Sequence, residues 1–200
     1  MQLYGSLTSP YTRKVRVVLA EKSIPCDFIL ADPMAADGPV PALNPLGKVP
    51  VLTRDDGSTL FDSPVIAEFI DSMATPALIP PLGDLRWSVR RWEALADGIM
   101  DAVVARLLES RRPAAQQSPE YVARQEGKVA RALAFAEAEL GEGVHLVADQ
   151  FSLADIALAV ALEYTDFRYP HDWRGRHPRL SEWLALTATR PSLASTQPPR

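Results

Sequence analysis

Thr8-Ser9-Pro10 is a stretch whose residue types and order could do chemistry on an anion. A serine followed by proline is what a helix start asks for. The hydroxyl satisfies a free backbone N–H, and proline takes the first helical position, where its missing donor costs nothing. The same start gathers unpaired N–H groups and the positive end of the helix dipole, which favour an anion. A hydroxyl placed there could hold a thiolate. A thiol of pKa about 8.5 must fall by roughly 2 units to be mostly ionised at neutral pH, which takes about 2.7 kcal/mol. A hydrogen bond to a charged group supplies about 1.5 to 3 kcal/mol. On these residues alone Ser9 is first a cap and only second an anion holder.

The elements that must position this serine alternate in the first third of the chain. Gln2 to Ser6 reads as a strand, and Tyr11 to Glu21 as a helix with Tyr11, Val15, Val18 and Leu19 on one face and Arg13, Lys14 and Arg16 largely off it. Ser23-Ile24-Pro25 breaks the chain, and Cys26 to Leu30 reads as a second strand parallel to the first. Ala31 to Gly47 is a loop with room for one helical turn. Lys48 to Leu52 and Thr59 to Phe61 flank Asp55-Asp56-Gly57 and predict a hairpin. Asp62-Ser63-Pro64 then opens a helix with Ser63 as its cap and Val65, Ile66, Phe69 and Ile70 as its apolar face. Pro50 interrupts a strand pattern, which marks a strand start, an edge or a bulge, or a cis bond that turns the backbone groups of Val49 away from the ladder.

Beyond Thr75 to Gly83, a proline-rich linker, the pattern becomes helical. Arg86 to Arg112 carries Trp92, Leu95, Ile99, Val103 and Leu107 on one face, and Ser118-Pro119 starts a helix that runs to about Leu140. Ser152 and Asp155 fit a capping box, with Phe151 and Ile156 placed for a hydrophobic staple. The box accounts for Asp155 fully, so both residues are structural caps and not catalytic acids. The helix they open is poor in charge and should be the buried centre of a helical domain.

Composition limits the function. The chain has 200 residues, 47% of them hydrophobic, enough for one large or two small domains. Its net charge of −4 gives no reason to expect nucleic acid. Neither an apolar run of membrane-spanning length nor a signal-peptide pattern is visible, so the expectation is a cytoplasmic protein with no membrane partner. The single cysteine, Cys26, allows no internal disulfide and reads as packing. His145, His171 and His177 have no metal-ligand spacing, so no metal is expected. Arg174, Arg176 and Arg179 read as a solvated loop face. Tyr164, Phe167, Tyr169, Trp173 and the helix residues Met100, Val103, Val104 and Leu107 fit either core or the wall of an apolar pocket.

Taken together, Ser9-Pro10-Tyr11 with Arg16 downstream, Asn44-Pro45-Leu46-Gly47-Lys48-Val49-Pro50-Val51-Leu52, Asp62-Ser63 at a helix start and Ser152-x-x-Asp155 after a linker resemble the cytosolic glutathione S-transferase family. The likeness spans essentially the whole chain and is nearest to small bacterial GST-like proteins with a tau- or zeta-like active-site serine. It implies an α/β thioredoxin-like N-terminal domain over 1–75 (β-α-β-α-β-β-α, mixed sheet), a linker over 76–84 and an all-α helical-bundle C-terminal domain over 85–200. It further implies a homodimer that uses glutathione as co-substrate and a small electrophilic, partly hydrophobic second substrate.

The resemblance also implies residue roles. Ser9 would stabilise the thiolate. Val49, ahead of a cis Pro50, would pair its backbone with the cysteinyl backbone of glutathione. Asp62 and Ser63 would hold the γ-glutamyl end, and Lys48 would lie near the glycyl carboxylate. Two departures predict weak glutathione affinity: there is no Lys or Arg between Ser23 and Gly47, and Asp stands at 62 where Glu is common. A thiol-disulfide reductase of this fold would want cysteine at position 9. A glutathione-dependent peroxidase or isomerase would use the same serine, while a non-catalytic binding protein would have no need of Ser9, Val49-Pro50 and Asp62-Ser63 together.

Overall fold

Leu3 and Leu52 face each other across two neighbouring strands, and the first unit is built outward from such pairs. A computed structural model describes residues 1–35 and 37–199. Its strands are β1 (Gln2–Gly5), β2 (Asp27–Leu30), β3 (Val51–Thr53) and β4 (Thr59–Leu60), in sheet order β2-β1-β3-β4. β1 and β2 run parallel, whereas β3 is antiparallel to both β1 and β4. The interleaved helices are α1 (Pro10–Glu21), α2 (Val40–Leu43) and α3 (Ser63–Ser72). This is the expected β-α-β-α-β-β-α order, with α2 as the single turn allowed for in the loop. α1 packs on α3, and Leu3, Val15, Val18, Leu52, Ile66 and Ile70 are all buried. With the period of two along a strand, Tyr4 and Val51 belong to the other face, where Val51 clusters with Ala31 and Val40.

The second unit is helical: α4 (Asp84–Ser110), α5 (Pro119–Glu139), α6 (Leu153–Arg168) and α7 (Pro178–Thr187). α4 packs on α5 and α6, and α7 packs on the same two helices. Ser118 caps α5 by accepting from the Tyr121 N–H. At the start of α6 the capping box is complete: Ser152 Oγ accepts from Ala154 N, and Asp155 Oδ2 accepts from Ser152 N at 2.9 Å. Asp155 Oδ1 also accepts from Leu146 N at 2.9 Å. Burial pushes this carboxyl up and those donors pull it back. Leu153 through Leu162 are all buried, as expected of a central helix.

The two units are residues 1–81 with 191–200, and residues 82–190. The last segment, with α8 (Pro191–Ala194), therefore groups with the sheet unit and not with the helices that precede it. This explains a correction on α1. Arg13 and Lys14, expected off the buried face, are 3% and 0% exposed. Arg13 donates to Leu193 O at 3.1 Å and to Thr196 Oγ1, so the returning segment closes over a flank of α1 that hydropathy alone assigns to solvent.

Other corrections are local. Val65 is 48% exposed although it belongs to the apolar pattern of α3. The segment 178–187 is a helix, and Arg179 is no idle loop cation, since it donates to Glu137 O, Leu140 O and Gly141 O at the end of α5. Arg174 pairs with Asp166, as does the indole N–H of buried Trp173, at 2.7 Å. Trp173 is thus core, as are Met100 and Val103.

Candidate active site

Strand register gathers the candidate residues. Tyr4 pairs with Val51 and Leu52 pairs with Leu60, and β3 runs opposite to both partners. The segment leaving β1 toward Ser9, the segment Lys48-Val49-Pro50 entering β3 and the segment Asp62-Ser63 leaving β4 therefore emerge at one end of the sheet. All six belong to the first unit.

Ser9 sits between β1 and α1 in extended backbone (φ −77°, ψ 123°) and caps the helix, its Oγ accepting from Thr12 N at 3.2 Å. Pro10 follows at the first helical position. A hydroxyl that accepts in this way keeps its own proton for donation. Capping and holding an anion are therefore compatible. Two further hydroxyls, those of Ser6 and Thr8, are hydrogen-bonded to each other at 3.1 Å; Ser6 Oγ also accepts from Thr8 N, and the Ser6 carbonyl accepts from Ser9 N at 3.1 Å. At Gly5 an added Cβ would lie 2.3 Å from Thr12 Cγ2, so strand and helix start meet in direct contact. Thr12 is buried and β-branched, leaving little room to yield. Gly5→Ala should lower stability by about 1 to 3 kcal/mol, an overpacking cost read from the urea midpoint of far-UV circular dichroism.

The loop before β3 is held by a residue whose role the sequence did not disclose. Asn44 is 1% exposed; its Nδ2 donates to Lys48 O at 2.9 Å and its Oδ1 accepts from Leu46 N at 3.0 Å. Gly47 closes the turn at φ +63°, a left-handed value that suits glycine. The Val49–Pro50 bond is cis, and both residues lie ahead of the β1–β3 ladder, which begins at Val51. Lys48 is exposed.

At the third segment the sequence reading needs correction. The cap position of α3 is Asp62, not Ser63, and no side-chain cap bond forms there. Asp62 holds extended backbone and its carbonyl accepts the first helical bond from Ile66 N at 3.0 Å, which makes Ser63 and Pro64 the first two helical residues. The Ser63 N–H is consequently among those a helix leaves unpaired within itself. Asp62 is exposed, whereas Ser63 is buried.

The remaining candidates lie elsewhere. Ser152 and Asp155 are occupied by the α6 capping box. Cys26 is half-buried just before β2, its thiol pushed up by burial, with Met1 O as acceptor at 3.5 Å. His171 stacks on Tyr169, whose other neighbour is the Arg106 guanidinium. Among the described residues no group of three or more His, Cys, Asp or Glu could hold a metal ion, and no helix is long and apolar enough to cross a membrane.

The α1 start capped by Ser9, the α3 start with the Ser63 N–H unpaired within the helix, and the cis Val49–Pro50 segment thus lie at one end of the sheet, and a helix start favours an anionic group. Residues 8–73 match the family model for the glutathione S-transferase N-terminal domain, and residues 119–186 match that for the C-terminal domain. The chain belongs to the glutathione S-transferase family. It is 46% identical, over 100% of both chains, to an uncharacterised GST-like protein, YibF, of Escherichia coli (strain K12). It is similar to a crystal structure of a glutathione S-transferase from Methylobacillus flagellatus KT with glutathione bound (43% identity, TM-score 0.96, 99% of each chain). A glutathione S-transferase from Methylobacterium radiotolerans in complex with glutathione sulfonate is 38% identical, with a TM-score of 0.94 over 100% of this chain and 95% of that one. The sheet unit is therefore the thioredoxin-like half of this fold and the helical unit its C-terminal half.

Proposed function

We propose that this chain is a glutathione transferase in which the Ser9 hydroxyl holds the thiol of bound glutathione as a thiolate. The observation that carries the reading is the register that brings Ser9, Val49–Pro50 and Asp62–Ser63 to one end of the sheet. Family membership and relatives with glutathione or glutathione sulfonate bound support it.

The steps follow from the groups present. The backbone of Val49 pairs with the cysteinyl backbone of glutathione. The unpaired N–H and hydroxyl of Ser63 take the γ-glutamyl carboxylate, Asp62 takes the amine, and Lys48 stands toward the glycyl carboxylate. The thiol proton leaves to solvent, and the remaining thiolate accepts a hydrogen bond from Ser9 Oγ at the positive end of α1. It then attacks an electrophilic carbon, forming a C–S bond as a leaving group departs with the displaced electron pair or as an activated double bond accepts it. The second substrate is small and partly hydrophobic. The serine is tau- or zeta-like, and the working form is a cytoplasmic homodimer.

Calorimetric titration of glutathione, with thiolate absorbance followed against pH, tests the reading. The expected result is binding weaker than low micromolar, given the exposed Lys48 as the cation offered to the glycyl end, with a depressed thiol pKa. Absence of binding at millimolar glutathione would mean that the fold serves as a binding module. A second expectation concerns Asn44. Asn44→Ala should weaken glutathione binding by roughly 3- to 10-fold, as the loss of about 1 kcal/mol of positioning would. The kcat at saturating glutathione should hardly change, because the loop that Asn44 braces binds backbone and not the reacting sulfur.

A further inference from the structure

The aim of the Ser9 hydroxyl is set through two consecutive residues of α1. Ser9 Oγ accepts from Thr12 N at 3.2 Å, and the Ser9 carbonyl accepts from Arg13 N at 3.0 Å. Each of these residues is fixed in turn by a contact outside the helix. Buried Thr12 meets Gly5 on β1, which ties one side of the first turn to the sheet. Arg13, 3% exposed, donates from Nη2 to Leu193 O at 3.1 Å and from Nε to Thr196 Oγ1 at 3.4 Å. The other side is therefore tied to residues that follow α7, within the same unit.

That second tie is a braced one. Arg13, Val17 and Glu21 recur at a spacing of four and share a flank of α1. Val17 and Leu193 are fully buried, and Glu21 accepts a hydrogen bond from Ser192 Oγ. Thr196 Oγ1 donates onward to Ser192 O at 2.8 Å, so both acceptors of the guanidinium belong to one turn. Residues 192–196 thus hold α1 near its start and at its last residue. A guanidinium is a rigid fork, and two bonds from it fix direction as well as position. Burial makes those bonds costly to break, since a charged group out of water needs its partners. The hydrogen bond that Ser9 would give to sulfur weakens steeply with angle, and a misplacement of about 1 Å caused far from the chemistry can cost about 100-fold.

We infer that Arg13 is a positioning residue for the Ser9 hydroxyl, and that residues 192–196 tune the thiolate site through it. The inference rests on the reading of Ser9 as the thiolate's donor. The guanidinium is committed to the returning segment, so it acts through the backbone of α1 and needs no contact with glutathione.

The test follows thiolate absorbance of bound glutathione against pH in the full chain and its variants, with kcat/KM for a chloronitroarene measured alongside, well below the unfolding midpoint. Arg13→Met should raise the thiol pKa of bound glutathione by about half a unit to one unit and lower kcat/KM by the corresponding factor of roughly 3 to 10. Arg13→Lys, which keeps a buried donor for Leu193 O, should recover most of that loss. Thr196→Val alters neither α1 nor the site, should give a smaller change of the same sign, and carries the test where Arg13→Met does not fold. Ile70→Val, a buried change on α3, controls for stability alone and should leave the thiol pKa in place. S-hexylglutathione has no thiol proton and should bind Arg13→Met within about twofold of wild type, because the loss falls on the thiolate and not on uniform binding. On a Ser9→Gly background Arg13→Met should cost nothing further, since a residue that acts through Ser9 then has nothing to position. An unchanged thiol pKa in Thr196→Val and in folded Arg13→Met, an equal change in Ile70→Val, or a full further loss on the Ser9→Gly background would each overturn the role of Arg13. A wild type that binds glutathione without a depressed thiol pKa would instead overturn the reading of Ser9, and this inference with it.

Discussion

Ser9→Gly is expected to lower kcat/KM for glutathione conjugation to a generic chloronitroarene by roughly 10- to 150-fold, the factor that corresponds to losing a hydrogen bond of about 1.5 to 3 kcal/mol to a charged sulfur. Glycine is the informative replacement. At a helix cap it costs only a few tenths of a kcal/mol relative to serine, whereas alanine costs about 1 kcal/mol. The Thr12 N–H that Ser9 satisfies would turn to water, and α1 would remain, so activity should fall while the unfolding midpoint scarcely moves. The thiol pKa of bound glutathione should rise toward its solution value in the same variant. Thr8 and Ser6 are the neighbouring hydroxyls, joined to each other at 3.1 Å, and serve as controls. Thr8→Ala and Ser6→Ala should retain most of the activity. Full activity in Ser9→Gly, with loss in Thr8→Ala, would transfer the role to Thr8.

Asp71→Ala is expected to destabilise the first unit by about 3 to 5 kcal/mol, the cost of leaving a buried charge without its partner. Lys22, the residue that ends α1, places Nζ 2.7 Å from Asp71 Oδ1, and the side chains are 1% and 7% exposed. The ammonium group also donates to Ala74 O and Pro76 O, so its three protons are all engaged. Asp71 in turn accepts from Leu78 N at 2.7 Å and Ile79 N at 3.0 Å. One ion pair thus fixes the end of α1, the last turn of α3 and the segment that leads out of the unit. Removing either member leaves several buried groups unmatched. Lys22→Met should cost a similar amount, and the double variant less than the sum, because it strands no charge. Trp87, Trp92, Trp173 and Trp183 all lie in the second unit, so indole fluorescence follows that unit. Circular dichroism or calorimetry is needed to see the first, and in Asp71→Ala those signals should lose structure before the indoles respond.

What could be read from the sequence follows from how local each signal is. Ser9-Pro10, Ser118-Pro119 and Ser152-x-x-Asp155 are written within four residues, and the caps form as the spacing predicts. At Asp62-Ser63 the sequence leaves the cap ambiguous by one position, because Asp and Ser can both cap, and only the extended backbone of Asp62 decides between them. Arg13 and Lys14 looked solvated because their cover on the Arg13 side comes from residues about 180 positions away. No periodicity within a helix reports such a neighbour. Asn44 stood inside the motif but had no role, since its two hydrogen bonds are properties of a folded loop. The same holds for α7, whose short pattern is outweighed in the sequence by the surrounding arginines and histidines.

The return of residues 191–200 to the first unit makes that unit discontinuous along the chain. On the ribosome its sheet emerges first, yet its last piece follows only after all of 82–190 has been made. Until then the Arg13 guanidinium lacks Leu193 O and Thr196 Oγ1. A gene fragment ending at Pro81 would therefore encode a sheet with one flank of α1 open. Exchange of the helical unit between relatives would have to respect two junctions, near 81 and near 190, and not one.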